Sequence, residues 1–82
     1  MRNVVFLNRW GHIYHLMLVV TDGETEHRLH SRICVSLEEA HRLIEHWRQK
    51  YYIAAADVQD NSRLDMNELL NGMETDFSPA QN

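Results

Sequence analysis

Two strand-like runs near the N-terminus are apolar on both alternating parities, and this limits the possible folds more than any other feature of the chain. Successive side chains of a strand point to opposite faces. In HIYHLMLVV (12–20), Tyr14, Leu16, Leu18 and Val20 take one face while Ile13, Met17 and Val19 take the other. In NVVFLN (3–8), Val4 and Phe6 oppose Val5 and Leu7. A sheet built from such strands needs cover on both sides, and a single helix supplies only one. The second face is expected either to be wrapped by residues 53–73 or to form an interface, apolar at its centre and rimmed by Glu26, Arg28 and Arg32.

The rest of the chain punctuates itself. NRWG (8–11) reads as a turn with Gly11 free to take positive φ. Asp22-Gly23 between two strand-like runs predicts a hairpin with a two-residue loop. EHRLHSRICV (26–35) alternates: His27, Leu29, Ile33 and Val35 share one parity, and Glu26, Arg28, His30 and Arg32 the other, as in a half-buried third strand. Ser36 then opens a capping box with Glu39, followed by an amphipathic helix on Leu37, Ala40, Leu43, Ile44 and Trp47 that ends near 50–52. Residues 53–59 fit helix, strand or loop. Asp60-Asn61-Ser62 predicts a break and a cap for a short helix over 63–71, closed by Gly72. Residues 1–73 are therefore expected to form a single α+β domain. It has a three- to four-stranded antiparallel meander, one main helix packed on one face and a short C-terminal helix. Residues 74–82 are expected to be a mobile tail.

Four of the six histidines fall in two H-x-x-H pairs within 12–30. An odd spacing on a strand sends the two members of each pair to opposite faces, so neither pair chelates one ion. The two-residue hairpin sets Leu16 opposite Leu29, Leu18 opposite His27 and His15 opposite His30. That register gathers Tyr14, Leu16, Leu18, Val20, Leu29 and Ile33 on one face. Two imidazoles fall short of the ligand number of a zinc site, and Cys34 lies too far along the strand to complete one. No metal site is assigned. His41 and His46, five apart, do not share a helical face, and DNSRLDMNE (60–68) lacks the glycine and glutamate placement of a calcium loop.

There is no phosphate loop, C-x-x-C or G-x-S-x-G. Cys34 reads as a buried, inert thiol, and Glu38-Glu39 is accounted for by capping. No catalytic residue and no cofactor is expected, and the chain is read as not an enzyme. SLEEAHRLIEHWRQKY (36–51) resembles the helix near the end of the retroviral-type integrase core in bacterial transposases, which reads S-x-x-E-A and then I-x-x-W and Y. The carboxylate triad that such enzymes require is missing, so the resemblance implies no function here.

Composition bounds the rest. The chain has 82 residues, 44% hydrophobic and 24% charged, as in an ordinary globular domain. A domain this short buries roughly 60% of its unfolded surface, so oligomerisation would add to its stability. A single cysteine allows no internal disulfide, and the N-terminus lacks the apolar core of a signal peptide. A cytoplasmic location is expected, with no membrane-crossing segment. The formal charge of −4 weighs against nucleic acid as a partner. Protonation of all six histidines would turn it to +2.

These features together suggest a non-enzymatic protein-interaction module, a small inhibitor or regulator of a larger protein partner. In size and character it is like the anti-CRISPR and related proteins that phages and mobile elements encode against host defence. Met17, Arg28, His30 and Arg32 are the expected partner-binding residues on the second face. The alternative is a homo-oligomeric (dimeric) protein responsive to metal or pH through His15 and His30. A third reading, nucleic-acid binding through Arg28, His30 and Arg32, is opposed by the net charge.

Overall fold

A computed structural model describes residues 1–70. The expected tail, 74–82, and the expected helix stop at Gly72 lie outside the described residues. The fold is α+β. Strands β1 (Arg2–Trp10), β2 (Ile13–Thr21) and β3 (Glu26–Cys34) form an antiparallel meander, and helix α1 (Leu37–Tyr51) follows. A short 3-10 turn, Ala55–Asp57, leads into β4 (Val58–Asp65). Residues 66–70 are helical. The sheet order is β3-β2-β1-β4, with β4 parallel to β1. A parallel neighbour requires a crossover, and α1 supplies it, carrying the chain from the β3 edge to the opposite edge.

Each α1 boundary has a local cause. Ser36 Oγ accepts from Glu39 N–H at 3.1 Å, and the Glu39 carboxylate reaches back to accept from Val35 N–H at 3.4 Å, so the capping box forms with the donor N–H one residue displaced. Glu38 and Glu39 sit at the positive helix end, Arg48 and Lys50 at the negative one. The helix stops at Tyr52, which takes the left-handed conformation (φ 55°, ψ 48°) and donates its N–H to the Arg48 carbonyl. Arg48 secures the exit by donating Nε–H to the Ile53 carbonyl at 3.1 Å.

The core lies between α1 and one face of the sheet. Val5, Leu7, Leu16, Leu18 and Cys34 face Ala40, Ile44 and Trp47, with Ile53 closing one side. Full burial of each large aliphatic side chain stabilises by about 1.5–3 kcal/mol. Burial pushes the Cys34 thiol up, with Glu39 adding to the shift and Arg32 opposing it, in keeping with an inert packed cysteine.

The hairpin between β2 and β3 departs from the expected register in two steps. The loop has four residues, with Thr21 opposite Glu26. Asp22 builds it: Oδ1 accepts from the backbone N–H of Glu24 and Thr25, each at 2.9 Å, and Thr21 Oγ1 accepts from Gly23 N–H at 3.0 Å. This local network outcompetes the two-residue turn, and Gly23 supplies the positive φ of 98°. The second step is a bulge between Leu18 and Val19 on the β2 ladder, where Val19 pairs Arg28 but Leu18 pairs His30. Leu29 is the extra residue. One residue of slip exchanges the two faces for everything beyond it. Leu16 therefore faces Arg32, Leu18 faces His30 and His15 faces Ile33, which replaces the expected Leu16–Leu29, Leu18–His27 and His15–His30 pairs. Leu29 and Ile33 are 47% and 58% exposed rather than core.

Strand β4 replaces the expected break at 60–62 and the first turn of the expected 63–71 helix. Only Val58 packs on the core; the rest of the strand is anchored by polar groups. Arg9 donates Nε–H to the Ser62 carbonyl at 2.9 Å. Asp65 Oδ1 accepts from Gly11 N–H and from Asn67 N–H, each at 3.0 Å, so it ties the β1–β2 turn to the start of the helical residues 66–70. Gly11 stands at φ 64° in that turn. The ladder to β1 shifts between Leu7 and Arg9, as expected of an edge strand held by side chains rather than by burial. Residues 53–65 thus extend the sheet at its edge and do not wrap the second face.

Candidate functional site

The second face of the sheet is open: α1 lies on the other side, and among the described residues nothing crosses its centre. Its side chains come from even positions of β1 and odd positions of β2, as the pairs Val4–Val19, Phe6–Met17, Asn8–His15 and Trp10–Ile13 show. At the Asp22-loop end, Val4 and Val19 form a floor, 4% and 5% exposed, beneath half-buried Phe6 and Met17. A hollow runs over this end, lined by Phe6, Asn8, Met17, Val19, Glu26 and Arg28. A second hollow on the other side of Phe6 reaches Arg2 and Gln59. At the Gly11 end, Trp10, Ile13, His15 and Ile33 line another depression, which Asn67 reaches.

A polar belt separates these two apolar ends. Asn61 of β4 donates Nδ2–H to Asn8 Oδ1 at 3.2 Å. Asn8 stands directly opposite His15, and His15 Nε2 lies 2.6 Å from Ser31 Oγ of β3. Asn61, Asn8 and His15 thus form a row at mid-height, which ends diagonally on Ser31, opposite Met17 and one step nearer the Asp22 loop. The charges sit towards the Asp22-loop end. Arg2 pairs with Asp57 at 3.4 Å, while Arg28 and Glu26 make no ion pair among the described residues.

The four expected partner-binding residues do not form one patch. Met17 and Arg28 share the open face. The bulge at Leu29 turns His30 and Arg32 to the helix side, each opposite a core leucine. There His30 stacks on Trp47 with ring centroids 5.9 Å apart, and its Nε2 lies 2.8 Å from the Tyr51 hydroxyl. His15 and His30 consequently stand on opposite faces and cannot share an ion within one chain. Among the described residues, no group of three or more His, Cys, Asp and Glu side chains is arranged to hold a metal. The His15–Ser31 contact has the spacing of a base and a nucleophile, but the same contact fits a belt hydrogen bond. Among the described residues no carboxylate orients the ring. Among the described residues, no helix is long and apolar enough to cross a membrane.

Three carboxyls are held below their ordinary range, all in turns or at the sheet edge. For Asp22 the cause is the Thr25 and then the Glu24 N–H. For Asp65 it is chiefly the Gly11 N–H. Burial raises Asp60, but the Ser62 hydroxyl and N–H outweigh it. Asp60 and Asp65 lie off the open face, and Asp22 stands at the rim of its hollow beside Arg2. They stabilise the frame that presents it.

The belt escaped sequence reasoning because it needs the register: Asn8 and His15 become neighbours only through the tight Gly11 turn, and Ser31 joins them only through the bulge. No protein-family model, curated protein or solved structure matches the chain.

Proposed function

We propose that this chain is a non-enzymatic protein-interaction module, a small inhibitor or regulator, and that it takes its protein partner on the open face of the sheet. The observation that carries the reading is the hollow beside Phe6 and Met17. It is an apolar depression on a sheet face with no described cover, flanked by a cation, Arg28, without an ion pair among the described residues. The chemistry calls for an apolar anchor seated against Phe6, Met17 and Val19 and an acidic side chain reaching Arg28. His30 and Arg32, on the helix side, fall outside this surface.

The test is affinity capture from lysate of the source organism with tagged chain, read by mass spectrometry beside two paired variants. A stoichiometric partner should be lost with Met17→Glu/Arg28→Glu and kept with His30→Ala/Arg32→Glu. Loss only with the second pair would move the site to the helix side and end the open-face reading. Purified partner and chain should then show the same contrast by calorimetry.

A further inference from the structure

We infer that in the free protein the open face is occupied by a second copy of this chain, related by a twofold axis that runs along the strands between β1 and β2. The inference rests on the reading of that face as the interaction surface and names its resting occupant. A partner would then have to displace the second copy.

Area is the first argument. Four strands about 4.8 Å apart, with nine residues rising about 3.3 Å each, make a face of roughly 19 by 30 Å. A copy laid over it buries on the order of 600 Å² per chain, so the total passes the roughly 1,000 Å² that a specific interface needs.

The polar belt is the second. A twofold along the strands brings β1 over β2 of the second copy and β4 over β3. His15 then meets Asn8 of the other chain, and Ser31, which pairs with Met17, meets Gln59, which pairs with Phe6. Amide, imidazole and hydroxyl can each donate and accept, so Asn8 with His15 and Ser31 with Gln59 satisfy one another across the interface, while Asn61 keeps its bond to Asn8 within the chain. A foreign surface would need a matching row of its own at the same height. The apolar ends superpose as well, Phe6 and Met17 on one side of the belt and Trp10 and Ile13 on the other.

Charge fixes the axis. At the Asp22-loop end, the β3 edge carries Glu26 and Arg28, and the opposite edge carries the Arg2–Asp57 pair. The axis along the strands sets one edge over the other, so each charge finds its opposite. An in-plane axis across the strands would instead press Glu26 and Arg28 against the Ile33 end and strand both in apolar surroundings.

Sedimentation of the full chain from low micromolar to about 0.5 mM should give the mass of two chains at the upper concentrations. Phe6→Glu should sediment as one chain throughout, with its far-ultraviolet dichroism unchanged. Should that variant misfold, a charge exchange serves in its place: Arg2→Glu should weaken the dimer about tenfold, and adding Glu26→Arg should restore it. One chain's mass for the wild type at the highest concentration, or a dimer indifferent to both substitutions, would overturn the inference. A monomeric wild type that still captures a partner through Met17 and Arg28 defeats the second copy and leaves the proposed function standing. A dimer broken by Phe6→Glu with no partner captured does the reverse.

Discussion

Leu16 and Met17 are neighbours in the chain and belong to different environments. Leu16 is fully buried under α1, while Met17 is half-buried on the open face. The covered face is closed by aliphatic packing and a capped helix. The open face has apolar residues of similar size, arranged around a belt of hydrogen-bonding groups and an arginine, Arg28, that has no ion pair among the described residues. Apolar content does not distinguish the two faces. The distinction is that one is completed by α1, while the other has no cover among the described residues and is the face proposed to take a partner.

The strongest way to break that contrast is to truncate each side. Leu16→Ala should cost about 2–5 kcal/mol in urea unfolding, a large share of a small domain's stability. Met17→Ala, measured in the monomeric Phe6→Glu background, should cost less than about 1 kcal/mol. Equal losses would mean that the open face is packed like the core. Next in size is the helix that makes the cover: Ser36→Ala removes the cap and should cost about 1 kcal/mol. A gain is expected at the other end of α1. Tyr52 is left-handed and 94% exposed, so Tyr52→Gly should raise stability by about 0.5–1 kcal/mol by relieving the backbone while losing little packing. A drop in thermal midpoint instead would reveal a role for the ring.

The smallest effect near neutrality, and a growing one in acid, comes from the frame around the faces. The lowered carboxyls of Asp22, Asp60 and Asp65 contribute stability that is complete above their unfolded value of about 3.9 and is lost as pH falls through the folded values. Melting curves should therefore shift down between about pH 5 and pH 3. Asp22→Asn and Asp65→Asn should each flatten that slope, and a slope unchanged by both would show that other groups drive the acid response.

Much of the covered half was legible without coordinates. Periodicity marks β1, β2 and α1, Ser36 and Glu39 mark the helix start, and the two-sided apolar strands call for cover on a second face without telling whether residues 53–73 or an interface supplies it. The readings that failed share a cause: short-range polar bonding overrode pattern. Asp22 folds its own loop and lengthens the hairpin. The extra residue at Leu29 reverses the faces of His30 and Arg32, which alternation alone cannot reveal. Strand β4 has few apolar residues to betray it, because Arg9, Asp65 and Asn8 hold it in place of burial.

That manner of attachment bears on the order in which the molecule assembles and comes apart. The hairpins β1–β2 and β2–β3 close over short loops, whereas Arg9 and Ser62 meet across 53 positions of chain, and loop-closure entropy rises with that separation. The meander and α1 can form a kinetic nucleus before β4 arrives. Backbone amides of Val58–Asp65 should then exchange with deuterated solvent through partial opening, well before those of Leu16 and Leu18, which wait for global unfolding. The sheet would thus have a rigid three-stranded body and one detachable edge, and since Asn61 is the β4 member of the polar belt, release of that edge would remove one end of the belt without melting the rest.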